Sequence, residues 1–140
     1  MVAALVALVL GLAGCSDSPE YQPPAGALPA GTAQVSIGGQ DVGTSDAVAC
    51  TTIETVTTIS TGEEAAGTTS AVDSAIEPTA LFVKIRNLGG FTGNYWQDVD
   101  GEAEVDTAAG TFTITGRANG FATDKPSFRT AEDFEIKVAC

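Results

Sequence analysis

Between residues 33 and 140 the apolar side chains recur mostly at every second position, in short runs separated by glycines and polar turns. Such alternation puts every other side chain on one face, so each run predicts a half-buried antiparallel strand. Val35 and Ile37 share a face, and Gly38-Gly39 behind them predicts a hairpin turn back toward Val42. Val48 and Cys50 share a face in the next strand, and residues 53–59 read as its continuation or as another. Leu81, Val83 and Ile85 face one way, with Lys84 and Arg86 on the other side. Residues 111–115 bury Phe112 and Ile114, and Phe134, Ile136, Val138 and Cys140 fall on one parity, which predicts Cys140 on the core face. Residues 67–76 break the rhythm. Ala71, Val72, Ala75 and Ile76 recur at helical spacing before Pro78, which predicts one short helix. The sum is a mainly β fold, an antiparallel curled sheet or small β-sandwich with one short helix.

The chain ahead of these strands is of another kind. Residues 1–14 carry no charged side chain, and residues 2–12 form an unbroken apolar run, short for a membrane span but suited to the core of an export signal. Export signals normally begin with Lys or Arg before the apolar run, and here Val2 follows Met1 directly, so a basic segment upstream of Met1 is an expectation. Leu12-Ala13-Gly14-Cys15 resembles the lipobox of bacterial lipoproteins. That resemblance implies cleavage before Cys15, a diacylglycerol on its sulfur and a further acyl chain on its new amine, hence stable anchoring in a membrane. The competing readings are an ordinary cleaved signal and a buried apolar segment. Residues 16–33 then hold Pro19, Pro23, Pro24 and Pro29, the composition of a semi-rigid tether; Pro23-Pro24 lacks the repeated spacing of a proline-rich recognition ligand. The chain divides into a signal peptide (1–14), a lipidated cysteine with its tether (15–33) and a β domain (34–140).

Composition narrows the function. A chain of 140 residues holds one small domain, and 18 acidic against 6 basic side chains give a net charge of -12, a surface that nucleic acid repels. There is no histidine, so the commonest general base and metal ligand is missing. Three cysteines are an odd number for an exported protein. With Cys15 lipidated, Cys50 and Cys140 remain, either as a bridge in an oxidising compartment or as two separate buried thiols.

Two stretches invite a site. Asp98, Asp100, Glu102, Glu104 and Asp106 alternate, so a strand through them would project all five carboxylates from one face. Their spacing misses the calcium loop of a helix-loop-helix hand, with Gly101 fourth and Ala109 twelfth from Asp98, and a solvated acidic face without metal is expected. Phe91, Tyr95 and Trp96 sit among Gly89, Gly90 and Gly93, either as core anchors or as a rim that contacts a glycan or lipid tail. Glu132, Asp133 and Glu135 read as a charged lead-in to the last strand. An acid-dependent hydrolase would need facing carboxylates or a nucleophile motif, and the sequence has no recognisable one.

The pieces VSIGG at 35–39, VACT at 48–51, TFTITGRANG at 111–120 and DFEIKVAC at 133–140, downstream of LAGC, resemble the mycobacterial LpqH-type lipoproteins, the nineteen-kilodalton lipoprotein antigen family. The resemblance implies a disulfide between Cys50 and Cys140 and an exported lipoprotein, anchored to the outer face of the membrane or cell surface. It implies no enzymatic activity and no cofactor. Implied partners are the membrane through Cys15 and a host innate receptor of the Toll-like type; an envelope glycolipid is the partner expected of a lipid-anchored binding module instead. The family's tether is often threonine-rich and glycosylated, whereas residues 16–33 hold only Ser16, Ser18 and Thr32. The alternative is a lipid-anchored module that binds a small apolar or glycolipid ligand through Phe91, Tyr95 and Trp96.

Overall fold

The computed structural model describes residues 27–140, so Cys15, the apolar run and most of the tether lie outside the described residues. Ten strands form a single sheet, antiparallel at every pairing: β1 Ala33–Ile37, β2 Gln40–Ser45, β3 Val48–Ile53, β4 Val56–Gly62, β5 Gly67–Asp73, β6 Thr79–Leu88, β7 Phe91–Trp96, β8 Glu102–Ala108, β9 Thr111–Ala122 and β10 Lys125–Ala139. Their order is β2-β1-β10-β9-β7-β6-β5-β4-β3, with β8 on β9 beside β7. The two outermost strands, β2 and β3, are consecutive in the chain and joined by Asp46 and Ala47 alone. The sheet therefore curls until its edges meet, a nearly closed barrel that hides most of its unpaired backbone.

The alternating runs supply the filling. Val35, Ile37, Ile59, Val83, Ile85, Ile114, Phe134, Ile136 and Val138 point into one buried cluster. Gly38-Gly39 makes the expected hairpin with both residues at positive φ (59° and 78°), a backbone that twists with the strands and that side chains other than glycine rarely adopt. The long β9 serves two partners, pairing with β8 from Thr111 to Arg117 and with β7 from Asn119 to Ala122. Leu28 donates its N–H to the Thr111 hydroxyl and Gly31 to the Ala139 carbonyl, so the chain is laid along β9 and β10 before β1 begins.

Four expectations change. No helix is found among the described residues, and the stretch expected to be one is β5. A register shift between Ala71 and Val72 buries both, while Ala75 and Ile76 lie in the following loop with Ile76 96% exposed. Strand bulge plus loop thus imitated helical spacing, and inward Thr68 and Ser70 masked the alternation. The same shift, between Ala80 and Phe82 on β6, leaves Leu81 half-buried and puts Ala80 in the core instead. Phe112 is half-buried against the core, whereas Ile114 is wholly inside. Cys140 lies past the end of β10 and is exposed, as is Cys50, yet the two are bonded with Cα atoms 6.0 Å apart. The bridge crosses the outside of the barrel, not its core.

Candidate functional site

The strand β7 sorts the three candidate aromatics by parity. Phe91 and Tyr95 point inward and are buried, with the Phe91 ring lying over Gly93, where no Cβ obstructs it. The Tyr95 hydroxyl donates to the Ala80 carbonyl at 3.4 Å. Burial, and then the charge of Asp98, push its phenol above the ordinary 10.0. Trp96 has the opposite parity and stays 41% exposed. Across the strand pair it meets Phe82, ring centroids 5.2 Å apart and tilted by 37°. The Lys84 ammonium stands 5.3 Å from the Trp96 ring centroid and 5.7 Å from that of Phe82, within cation–π reach of both. Two of the three predicted contact residues therefore serve the core, and Phe82 takes their place outside.

The acidic run is divided rather than continuous. After Trp96 the chain leaves the sheet in a tight turn: the Trp96 carbonyl accepts from Val99 and Asp100, and the Trp96 N–H donates to the Asp100 carbonyl. Asp98 and Gly101 adopt positive φ (59° and 81°), which no extended strand allows. Asp98 and Asp100 thus belong to this turn, and Glu102, Glu104 and Asp106 line the exposed face of β8 while Ala103 and Val105 turn toward the core. The expected single face of five carboxylates is corrected to two separate groups. Between them lies an open cleft of about 790 Å³ walled by Tyr95, Asp98, Asp100, Glu102 and Glu104. Among the described residues, no three acidic or cysteine side chains stand close enough together to hold a metal ion.

Asp100 also looks the other way. Its carboxylate accepts from the Asn119 side-chain amide, and the two border a groove of about 440 Å³ with Gly120, Arg129 and Thr130. Asn119 faces Asn94 directly across β9 and β7, and Asn94 faces Lys84 across β7 and β6. One outer surface therefore gathers Phe82, Trp96, Lys84, Asn94, Asn119 and Asp100. Of these Trp96 was a candidate contact residue and Asp100 belonged to the acidic run; Phe82, off parity with Val83 and Ile85, carried the one signal that could have located the rest.

The remaining acids serve the surface. Asp133 pairs with Arg117 at 2.9 Å and Glu135 with Lys137 at 3.7 Å, exposed pairs that contribute little to stability. The Gly43 N–H, and then the Gln34 amide, hold the exposed Asp41 carboxyl below its usual range, an arrangement local to the β1–β2 hairpin.

The sequence of this domain is similar to those of known proteins. The chain is 41% identical over 110 residues to a protein described as a lipoprotein in Mycobacterium indicus pranii, covering 78% of each chain. It is 40% identical over 110 residues to another so described in Mycobacterium avium subsp. hominissuis, covering 78% of this chain and 76% of that one. A shorter match, 41% over 59 residues and 42% of each chain, is to the lipoprotein LppE of Mycobacterium tuberculosis. The family model described as Mycobacterium 19 kDa lipoprotein antigen matches residues 26–140, every strand of the barrel included, and the chain belongs to that family.

Proposed function

We propose that this chain is an exported, envelope-anchored surface lipoprotein, lipidated at Cys15 and acting by presentation and interaction rather than by catalysis. The observation that carries the reading is the lipoprotein antigen family match at 26–140, downstream of Leu-Ala-Gly-Cys at 12–15. Residues 1–14 direct export and are removed, residues 15–33 hold the acyl chains and the tether, and residues 34–140 form the displayed domain. The resemblance to the antigen family implies recognition of the acyl chains by Toll-like innate receptors, and that recognition is proposed here. A non-catalytic role is supported by the absence of histidine and by the commitment of Cys50 and Cys140 to a bridge.

Cys15→Ala tests the anchor. Expressed in a mycobacterial host, the unaltered chain should partition with membranes and yield an acylated N-terminal cysteine by mass spectrometry, whereas the variant should be released or remain an unprocessed precursor. A variant that stays in membranes after normal processing would overturn the reading.

The second reading, a lipid-anchored binding module, is favoured by one observation: Trp96 remains outside the core beside Phe82 and a row of polar side chains. Phe91 and Tyr95 would support such a site from beneath, as the core residues that hold β7 in place.

A further inference from the structure

The surface of β6, β7 and β9, together with the turn after β7, carries two aromatic rings, two amides, one ammonium and one carboxylate side by side. Phe82 faces Trp96, Lys84 faces Asn94, and Asn94 faces Asn119, each through direct cross-strand pairing. Neighbours in such rows stand about 5 Å apart, so the six groups span an area comparable to one or two sugar rings. From this arrangement we infer that the Phe82–Trp96 pair and the amides of Asn94 and Asn119 form a platform for a neutral pyranose glycan. The inference deepens the reading of the chain as an interacting surface protein and rests on it for the exposure of this face.

The chemistry selects the ligand class. A half-exposed indole presents a flat apolar face rimmed by polar neighbours, suited to a ligand that is apolar on one side and hydrogen-bonding at its edges. A pyranose has that form, with axial C–H bonds on its face and hydroxyls around its perimeter. The side-chain amides each offer donors and an acceptor, and Asp100, ordered by Asn119, offers a carboxylate oxygen to a hydroxyl. The groove beyond Asp100, with Arg129 and Thr130 on its far side, gives a second ring room to follow.

The net charge of the chain weighs against an anionic ligand. Lys84 and Asp100 offset each other on the platform and Arg129 adds one positive charge at the groove, within a chain that carries -12 as a whole. Anionic ligands are repelled by that field, and cations are drawn instead to Glu102, Glu104 and Asp106 on β8. Lys84 lies over both rings on a flexible stem whose charged head is solvated, so it can yield the ring face to a sugar.

Trp96 is the only tryptophan of the chain, so its fluorescence reports on this platform alone. The full chain, held in a polyoxyethylene detergent because a glucoside would compete, is titrated with maltohexaose, cellohexaose, mannohexaose and laminarihexaose up to about 10 mM, the range of weak single-site binding. At least one should shift the emission saturably, with a hexuronate oligomer inert. Calorimetry of Trp96→Ala should then show about tenfold weaker binding, the upper end of one aromatic contact. Trp96→Phe should recover part of it, and Asn119→Ala should weaken it independently. Both positions are exposed, and an unchanged melting temperature would show that the variants remain folded. No response to any of the four neutral oligosaccharides, undiminished binding by folded Trp96→Ala, or a saturable response to phosphatidylcholine vesicles alone would overturn the inference. Any of these would leave the anchor at Cys15 untouched.

Discussion

Cys50 on β3 is bonded to Cys140 just past the end of β10, 90 residues apart in the chain. β3 is one outermost strand of the sheet, and β10 lies next to β1, which carries the other. The bridge therefore spans the line along which the curled sheet meets itself. It restrains the β3–β4 hairpin, whose residues 50–55 are all exposed and add nothing to the buried core. On the chain-entropy account, closing a loop of this length contributes roughly 4 to 5 kcal/mol. Non-reducing peptide mapping should recover the two cysteines linked. Cys50→Ser with Cys140→Ser should lower stability by up to that amount and speed amide exchange first in residues 48–58. Freely alkylated thiols in freshly isolated protein would contradict the bridge.

Inside the barrel, the hydroxyls of Thr61 and Thr68 lie 2.7 Å apart, both residues buried. Thr61→Val keeps the shape and removes one partner, leaving Thr68 unpaired at a cost of about 1 to 3 kcal/mol. Replacing both by Val removes the polar pair together, and the double variant should recover most of the loss. Ser70, on the same strand, has a buried hydroxyl with no side-chain or backbone partner among the described residues. Ser70→Ala should therefore be neutral or stabilising, where Thr61→Val is destabilising. Urea unfolding of the four proteins distinguishes these outcomes, and equal losses for Thr61→Val and Ser70→Ala would show that the hydroxyl pair contributes nothing.

These interior hydroxyls also explain what was legible in the sequence. Where the inward positions are aliphatic, as at Val35 and Ile37 or Phe134, Ile136 and Val138, alternation alone located both the strand and its core face. Where they are Thr68 and Ser70, the inward face looks polar, and the bulge at Ala71–Val72 then brings two small apolar residues together. Local spacing could not separate that pattern from a helix, because the register shift is set by pairing with β6. The acidic stretch misled for a similar reason. Alternation over residues 98–106 is real, but Gly101 and the positive φ of Asp98 break the strand after Trp96, a turn secured by backbone hydrogen bonds that no side chain announces. Trp96 was legible as a candidate. Its partners Asn94 and Asn119 were not, since 25 residues separate them and only the barrel's register makes them neighbours.

Tyr95 sets an alkaline limit. Its phenol is buried and its ionisation is pushed above 10.0 by that burial and by Asp98, so the folded state holds the proton more tightly than the unfolded chain. The stability this contributes is fully present below the unfolded value and is lost as pH rises from there through the folded one. Tyr95→Phe removes the titration along with one long hydrogen bond. The variant should lie within about 1 kcal/mol of the unaltered protein near pH 8 and lose less stability by about pH 11. Parallel losses in the two proteins between those pH values would show that Tyr95 does not titrate differently on folding.

The carboxylates beside the 790 Å³ cleft should bind no particular metal. Glu102, Glu104 and Asp106 alternate along β8, which spaces them about 6 to 7 Å apart, too far for one ion to collect several at coordination distance. Asp100 is occupied by Asn119, and Asp98 sits on the turn, outside the strand, where it walls the cleft. What remains is a local excess of negative charge, which any divalent cation screens much as salt does. Melting curves in calcium and in magnesium at matched ionic strength should nearly coincide. Neutralising the strand face with Glu102→Gln and Glu104→Gln should raise the melting temperature slightly in low salt and leave it unchanged in high salt, because the effect is repulsion relieved. A rise selective for calcium, saturating at micromolar ion and abolished by Asp98→Asn with Asp100→Asn, would instead mean that the turn and the strand close together around an ion.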